Sequence, residues 1–123
     1  QHDYILSITS HIPHLIAYNI VNTSLNIQDE KKLSIVKYSA GGLRDFTRIA
    51  ASNPIMWRDI FIQNKKNTSE MISKFIENLE SLKEAIEKED GKKLEQIFSK
   101  TKQIRQDIIE AGQDVKKPDF GRK

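Results

Sequence analysis

From Pro54 to Glu89 the chain carries no glycine and no second proline. Within that span Ile60, Phe61, Met71, Ile72, Phe75, Leu79, Leu82 and Ile86 recur at the three- and four-residue spacing of one helical face. A strand would need apolar residues at every second position, and that pattern is absent. The stretch predicts one long helix over 54–89. Roughly 36 residues at about 1.5 Å each make a rod near 54 Å, longer than the ~35 Å width of a compact domain of this size. Its apolar face is therefore expected to find cover against a second copy, in a two-fold dimer. The weak point is Asn67-Thr68-Ser69, whose side chains compete for backbone hydrogen bonds, and a bend there would fold the rod back.

The remaining segments extend the helical reading. Ile5, Ile8, Ile12, Leu15 and Ile16 predict an amphipathic helix from Tyr4 to about Leu25, with a kink or restart at Pro13, whose ring crowds the preceding turn. Residues 29–38 read as a short second helix, with Asp29 and Glu30 favoured in its first turn by the helix dipole. Gly41-Gly42 then interrupts, and a third helix is expected over 43–51. Asn53-Pro54 supplies a cap followed by proline at the first helical position. Gly91 is expected to close the long helix, and Leu94, Ile97, Phe98, Ile104, Ile108 and Ile109 mark a fifth one ending at Gly112. The fold class is all-α, with about five helices, a long C-terminal helical hairpin over 54–111, one domain over 1–115, and a basic tail over 116–123.

Composition removes several chemistries. With no cysteine in 123 residues, a disulfide scaffold, a cysteine nucleophile and a zinc–thiolate site are excluded. No apolar run approaches the roughly 20 residues of a membrane span, so a soluble, cytoplasmic chain is expected. The net charge of +3 invites a nucleic-acid reading, yet the tail holds four of the 20 basic and one of the 17 acidic residues. The body thus balances at 16 of each, without the basic stripe that nucleic acid requires. Gln1 in place of methionine reads as a chain with more protein before it.

Three short stretches carry possible chemistry. In Ser10-His11-Ile12-Pro13-His14 two histidines three apart share a face beside the proline. A metal would need further ligands that neither a cysteine pair nor an HExxH motif supplies, so no metal site is expected. In Gly41-Gly42-Leu43-Arg44-Asp45-Phe46-Thr47-Arg48 glycine backbone meets a helix start, and Arg48 offers a planar fork to a carboxylate or phosphate. The plainer reading of Arg48 is an ion pair with Asp45, three residues earlier. Asn53-Pro54-Ile55-Met56-Trp57-Arg58-Asp59 holds the only tryptophan. From the residues alone the reading is a helical domain with a small-anion pocket.

The order of these motifs resembles the C-terminal helical domain of the prephenate dehydrogenases, including the cyclohexadienyl and arogenate dehydrogenases. The likeness is strongest from His2 to Asn64, and Leu43 stands where the family commonly has phenylalanine. The resemblance implies oxidative decarboxylation of prephenate to 4-hydroxyphenylpyruvate, or of arogenate to tyrosine, with NAD or NADP, in tyrosine biosynthesis. It also implies a homodimer, with tyrosine as an inhibitor. Matched by motif, Arg48 binds a substrate carboxylate. His14 hydrogen-bonds the substrate side chain, His11 and Ser10 shape the turn beside it, Asp45 orients Arg48, and Trp57 walls the pocket. The family's Rossmann domain and its catalytic histidine have no counterpart in these residues. No catalytic residue is expected in the chain, and alone it is expected to be inactive. The competing reading is a non-catalytic helical dimerisation or regulatory module.

Overall fold

The computed structural model describes residues 2–26 and 41–112, and every regular element among them is helical. The helix expected over 29–38 and the basic tail lie outside the described residues. The first helical stretch comprises α1 (His2–Leu6), one π turn (Ser7–His11) and α2 (Ile12–Leu25). Pro13 sits in the first turn of α2, and the Ile12 N–H reaches back five residues to the Ser7 carbonyl. Widening one turn is how a helix runs past a ring that lacks an N–H and crowds the turn before it. The predicted break at Pro13 thus takes the form of a π turn and a restart. Ser7 is fully buried there, its hydroxyl donating to the Tyr4 carbonyl at 2.6 Å.

α3 (Gly41–Ala50) packs against α2. The two glycines expected to precede it form its first turn instead. Glycine costs about 1 kcal/mol in a helix interior, but a first turn owes no intrahelical bonds to its N–H groups, and packing on α2 offsets the remainder. The Tyr18 hydroxyl of α2 donates to the Ser52 carbonyl at 3.0 Å and so ties α2 to the turn that follows α3. Asn53 then caps α4 (Pro54–Gln63), its Oδ1 accepting from the Ile55 and Met56 N–H groups at 2.9 and 3.0 Å, with Pro54 at the first position as expected.

The single long helix predicted from Pro54 is two helices. α4 ends at Gln63, Asn64 leaves helical geometry at φ −105° and ψ 38°, and α5 (Lys65–Glu87) begins at once. Asn64 serves both, donating its N–H to Ile60 O and accepting from the Thr68 N–H. The break falls three residues before the Asn-Thr-Ser stretch because Asn64, and not those residues, is held by distant partners.

Gly91 does not close α5. The left-handed position belongs to Glu89, at φ 54°. Asp90 N–H bonds Ala85 O at 2.8 Å and Glu89 N–H bonds Ile86 O at 3.0 Å, the paired contacts of a Schellman ending. The Asp90 side chain then caps α6 (Gly91–Glu110) by accepting from the Lys93 N–H at 3.1 Å. At the far end Gly112, at φ 79°, takes the left-handed position expected of it, its N–H on Ile109 O.

The chain divides within α5 into two compact units, one holding the described residues up to Ile72, the other beginning at Ser73. In the first, Ser7, His11, Ala17, Trp57 and Thr68 are buried. In the second, Ala85 is buried and Leu82, Leu94 and Ile97 are half-buried. Ile76, Leu79, Ile86, Phe98, Ile104 and Ile108 of that unit are all exposed. No helix among the described residues is long and apolar enough to cross a membrane.

Candidate functional site

The first unit gathers four of the six expected site residues around one indole. Trp57 of α4 is 7% exposed. His14, in the first turn of α2, stacks on it with ring centroids 3.9 Å apart and planes 16° from parallel, and His11 meets it edge-on at 6.1 Å and 82°. Phe61, one turn along α4, adds a third ring at 5.5 Å. The π turn brings both imidazoles to the same indole, and it uses Ser10 as well. The Ser10 carbonyl lies 2.9 Å from His14 Nδ1. A carbonyl only accepts, so His14 carries its proton on Nδ1 and presents Nε2, when neutral, as an acceptor.

His11 carries the opposite tautomer. The Asn64 carboxamide nitrogen lies 3.0 Å from the Asp3 carbonyl and 3.1 Å from His11 Nδ1. The Asp3 carbonyl fixes that nitrogen as the donor, so Nδ1 accepts and the proton sits on Nε2. The Asn64 oxygen accepts from Asn67 Nδ2 at 3.0 Å, which completes the carboxamide's bonding. Burial holds the His11 pKa below its ordinary 6.5, opposed by the attraction of Asp3 and aided by the repulsion of His14.

Arg48 and Asp45 form a second group, on α3. The guanidinium lies 3.4 Å from the Asp45 carboxylate, half-exposed. Charge-assisted bonds of this kind are normally 2.7–2.9 Å, so the pairing is loose and one-pointed and leaves much of the fork towards solvent. Among the described residues Asp45 is its hydrogen-bonded partner, on an element apart from the histidine–tryptophan group.

Two open depressions flank the indole cluster. One of about 310 Å³ is lined by Asp3, His11, Ile60, Gln63 and Asn64. The other, of about 250 Å³, is lined by Leu15, Tyr18, Pro54, Trp57, Arg58 and Phe61. Both lie near the lower end of small-molecule sites, and the second offers an aromatic wall with one cation, suited to a flat ring bearing an anionic group. Among the described residues no three His, Asp or Glu side chains converge to hold a metal.

Sequence reasoning missed Asn64, Tyr18 and Asp3. Asn64 alone carried a signal, as a poor helix former inside an otherwise unbroken helical run.

The chain is similar in sequence and fold to known proteins. Residues 1–100 match the family described as prephenate dehydrogenase, dimerization domain. A cyclohexadienyl dehydrogenase of Zymomonas mobilis is 38% identical over 105 residues, which are 85% of this chain and 36% of that protein. A Bacillus subtilis prephenate dehydrogenase is 34% identical over 85% of this chain and 28% of its own length. The crystal structure of prephenate dehydrogenase from A. aeolicus, in complex with hydroxyphenyl propionate and NAD+, superposes with a TM-score of 0.80 at 42% identity, over 87% of this chain and 37% of that one. The chain spans about a third of the length of the relatives it matches. Matched by sequence over its first 100 residues and by fold over 87% of its length, it belongs to the prephenate dehydrogenase dimerization-domain family.

Proposed function

We propose that this chain is the substrate-binding and dimerisation part of an enzyme that oxidatively decarboxylates prephenate to 4-hydroxyphenylpyruvate, or arogenate to tyrosine. The observation that carries the proposal is the His14–Trp57–His11 cluster in a chain of this family. Trp57 walls the substrate ring and His14 Nε2 hydrogen-bonds the substrate side chain, accepting from the ammonium of arogenate or, as the imidazolium, donating to the oxygens of prephenate. Ser10 and His11 hold the π turn that aims both imidazoles. Arg48 grips the carboxylate that stays while the ring carboxylate leaves, and Asp45 steadies the guanidinium between encounters.

The nicotinamide cofactor accepts the hydride. The described residues include no strand and hence no strand, glycine-rich turn and helix to cradle a dinucleotide, so NAD or NADP is assigned no partner among them. The chain's own share is to hold substrate and to exclude water around the indole. Tyrosine, which shares the phenol ring and side-chain carboxylate of 4-hydroxyphenylpyruvate, would compete for the same groups as an inhibitor. The exposed apolar residues of α5 and α6, Leu79 and Phe98 among them, are read as the seam of a homodimer, and the enzyme as cytoplasmic.

Arg48→Ala in the intact dehydrogenase tests the reading. Losing a two-point, charge-assisted contact costs about 2–5 kcal/mol of substrate binding. Most of it is expected in KM, because the retained carboxylate is gripped in both ground and transition states. Arg48→Lys should restore only part, since an ammonium keeps the charge and loses the fork. A folded Arg48→Ala enzyme with unchanged KM would remove Arg48 from the site. Absence of turnover by the wild-type enzyme with prephenate or arogenate and either cofactor would favour the non-catalytic module instead.

A further inference from the structure

The geometry points to Asn64 as a positioning residue of this site, whose carboxamide holds His11 as the neutral Nε2–H tautomer and so seats the imidazole edge against Trp57. The inference rests on the functional reading above only for its kinetic consequence.

Three hydrogen bonds define the arrangement. The carboxamide donates once to the Asp3 carbonyl and once to His11 Nδ1, and its oxygen accepts from Asn67. An amide turned the other way would face the Asp3 carbonyl with a second oxygen, so Asn64 cannot flip to accommodate a protonated His11. Protonation would put an Nδ1–H against the Asn64 N–H. The groups facing His11 are Asp3 from α1, His14 from α2, and Trp57, Ile60, Gln63 and Asn64 from α4 and its end. Only Asp3 and His14 among them are titratable, and they act in opposite directions. Asn64 thus fixes which nitrogen of His11 carries the proton, and the helix break at Asn64 is what places its carboxamide there.

The test reads His11 directly, by long-range ¹H–¹⁵N correlation on the ¹⁵N-histidine-labelled chain across pH. In the wild type His11 should show the Nε2–H pattern and titrate below 6.5. In Asn64→Asp a carboxylate faces Nδ1, which must now donate, and the His11 pKa should rise by about one pH unit or more. In the intact dehydrogenase the acidic limb of the kcat/KM profile should move upward with it. An Nδ1–H pattern in the wild type, or titration at the ordinary value, would overturn the proposal even if Asn64→Asp failed to fold. A limb that stays put while the pKa moves would overturn the positioning role. An enzyme with no turnover at all would sink the functional reading and leave the tautomer result to decide this one.

Discussion

In the unit built on α2, the indole of Trp57 is 7% exposed, covered by two imidazoles and a phenyl ring. On α5 and α6, Leu79 and Phe98 are each 53% exposed. Both regions are helical and both expose some large apolar residues, Ile55 and Ile62 in the first among them, yet the first buries Trp57 within the chain while the second buries no aromatic residue among those described. The difference lies in polar partners. In the first, hydrogen bonds spanning 34 to 61 residues, from Tyr18 to Ser52, Asn64 to His11 and Asn64 to Asp3, close the helices over the indole. In the second, the bonds include local caps, side-chain bonds three or four residues apart such as Gln103 to Asp107, and an i,i+4 ion pair between Lys88 and Glu84 on the surface, all of which order a helix or its end without bringing cover to its apolar side. The first region therefore closes over its indole with bonds within the chain, whereas the apolar side of the second stays exposed.

Truncating Trp57 gives the largest expected effect. Trp57→Ala should cost about 3–5 kcal/mol of unfolding free energy by removing a buried ring and its stacked neighbours. Leu79→Ala, on a half-exposed position, should cost under about 1 kcal/mol in the monomer. Denaturant unfolding of the two variants side by side would break the comparison if their losses were alike.

Phe98→Asp comes next, and it should act on association rather than folding. Burying a phenylalanine in the proposed dimer is worth about 1.5–3 kcal/mol per protomer, so the variant should associate more weakly than the wild type and keep the same helical circular dichroism. Sedimentation equilibrium checks it. Unchanged association would move the seam away from α6.

Acid gives the smallest effect, and it is confined to the first region. His11 is held below its ordinary 6.5 in the folded chain, so above that pH both folded and unfolded forms are neutral and its contribution is fully present. As pH falls below 6.5 towards the lowered value the unfolded chain takes up the proton first, and stability is lost over that interval. The melting temperature should drop between pH 7 and 5, and His11→Gln should flatten that drop. An equal drop in the variant would show that another group sets the acid sensitivity.

Much of this was legible in the residues. Helical spacing alone determined the fold class. Asn53-Pro54 and Gly112 marked two helix ends through local capping chemistry. Pro13 marked an irregular turn because a missing N–H is a property of one residue. Ser10, His11, His14 and Trp57 were named from sequence, and the fold brings them together. Local signals misled at Asn64, at Gly91 and at Gly41-Gly42. Glu89 took the left-handed position with an Asp90 cap beside it, and packing on α2 kept the glycines helical. The end of α4, the tautomer of His11, and the cover over Trp57 were decided only by tertiary structure. The bonds that set His11 and ended α4 join residues more than 50 positions apart, and no window of helical periodicity reaches that far. A side chain's intrinsic preference is worth less than about 1 kcal/mol, and at Asn64 the partners supplied by the fold turn a weak preference against helix into a break.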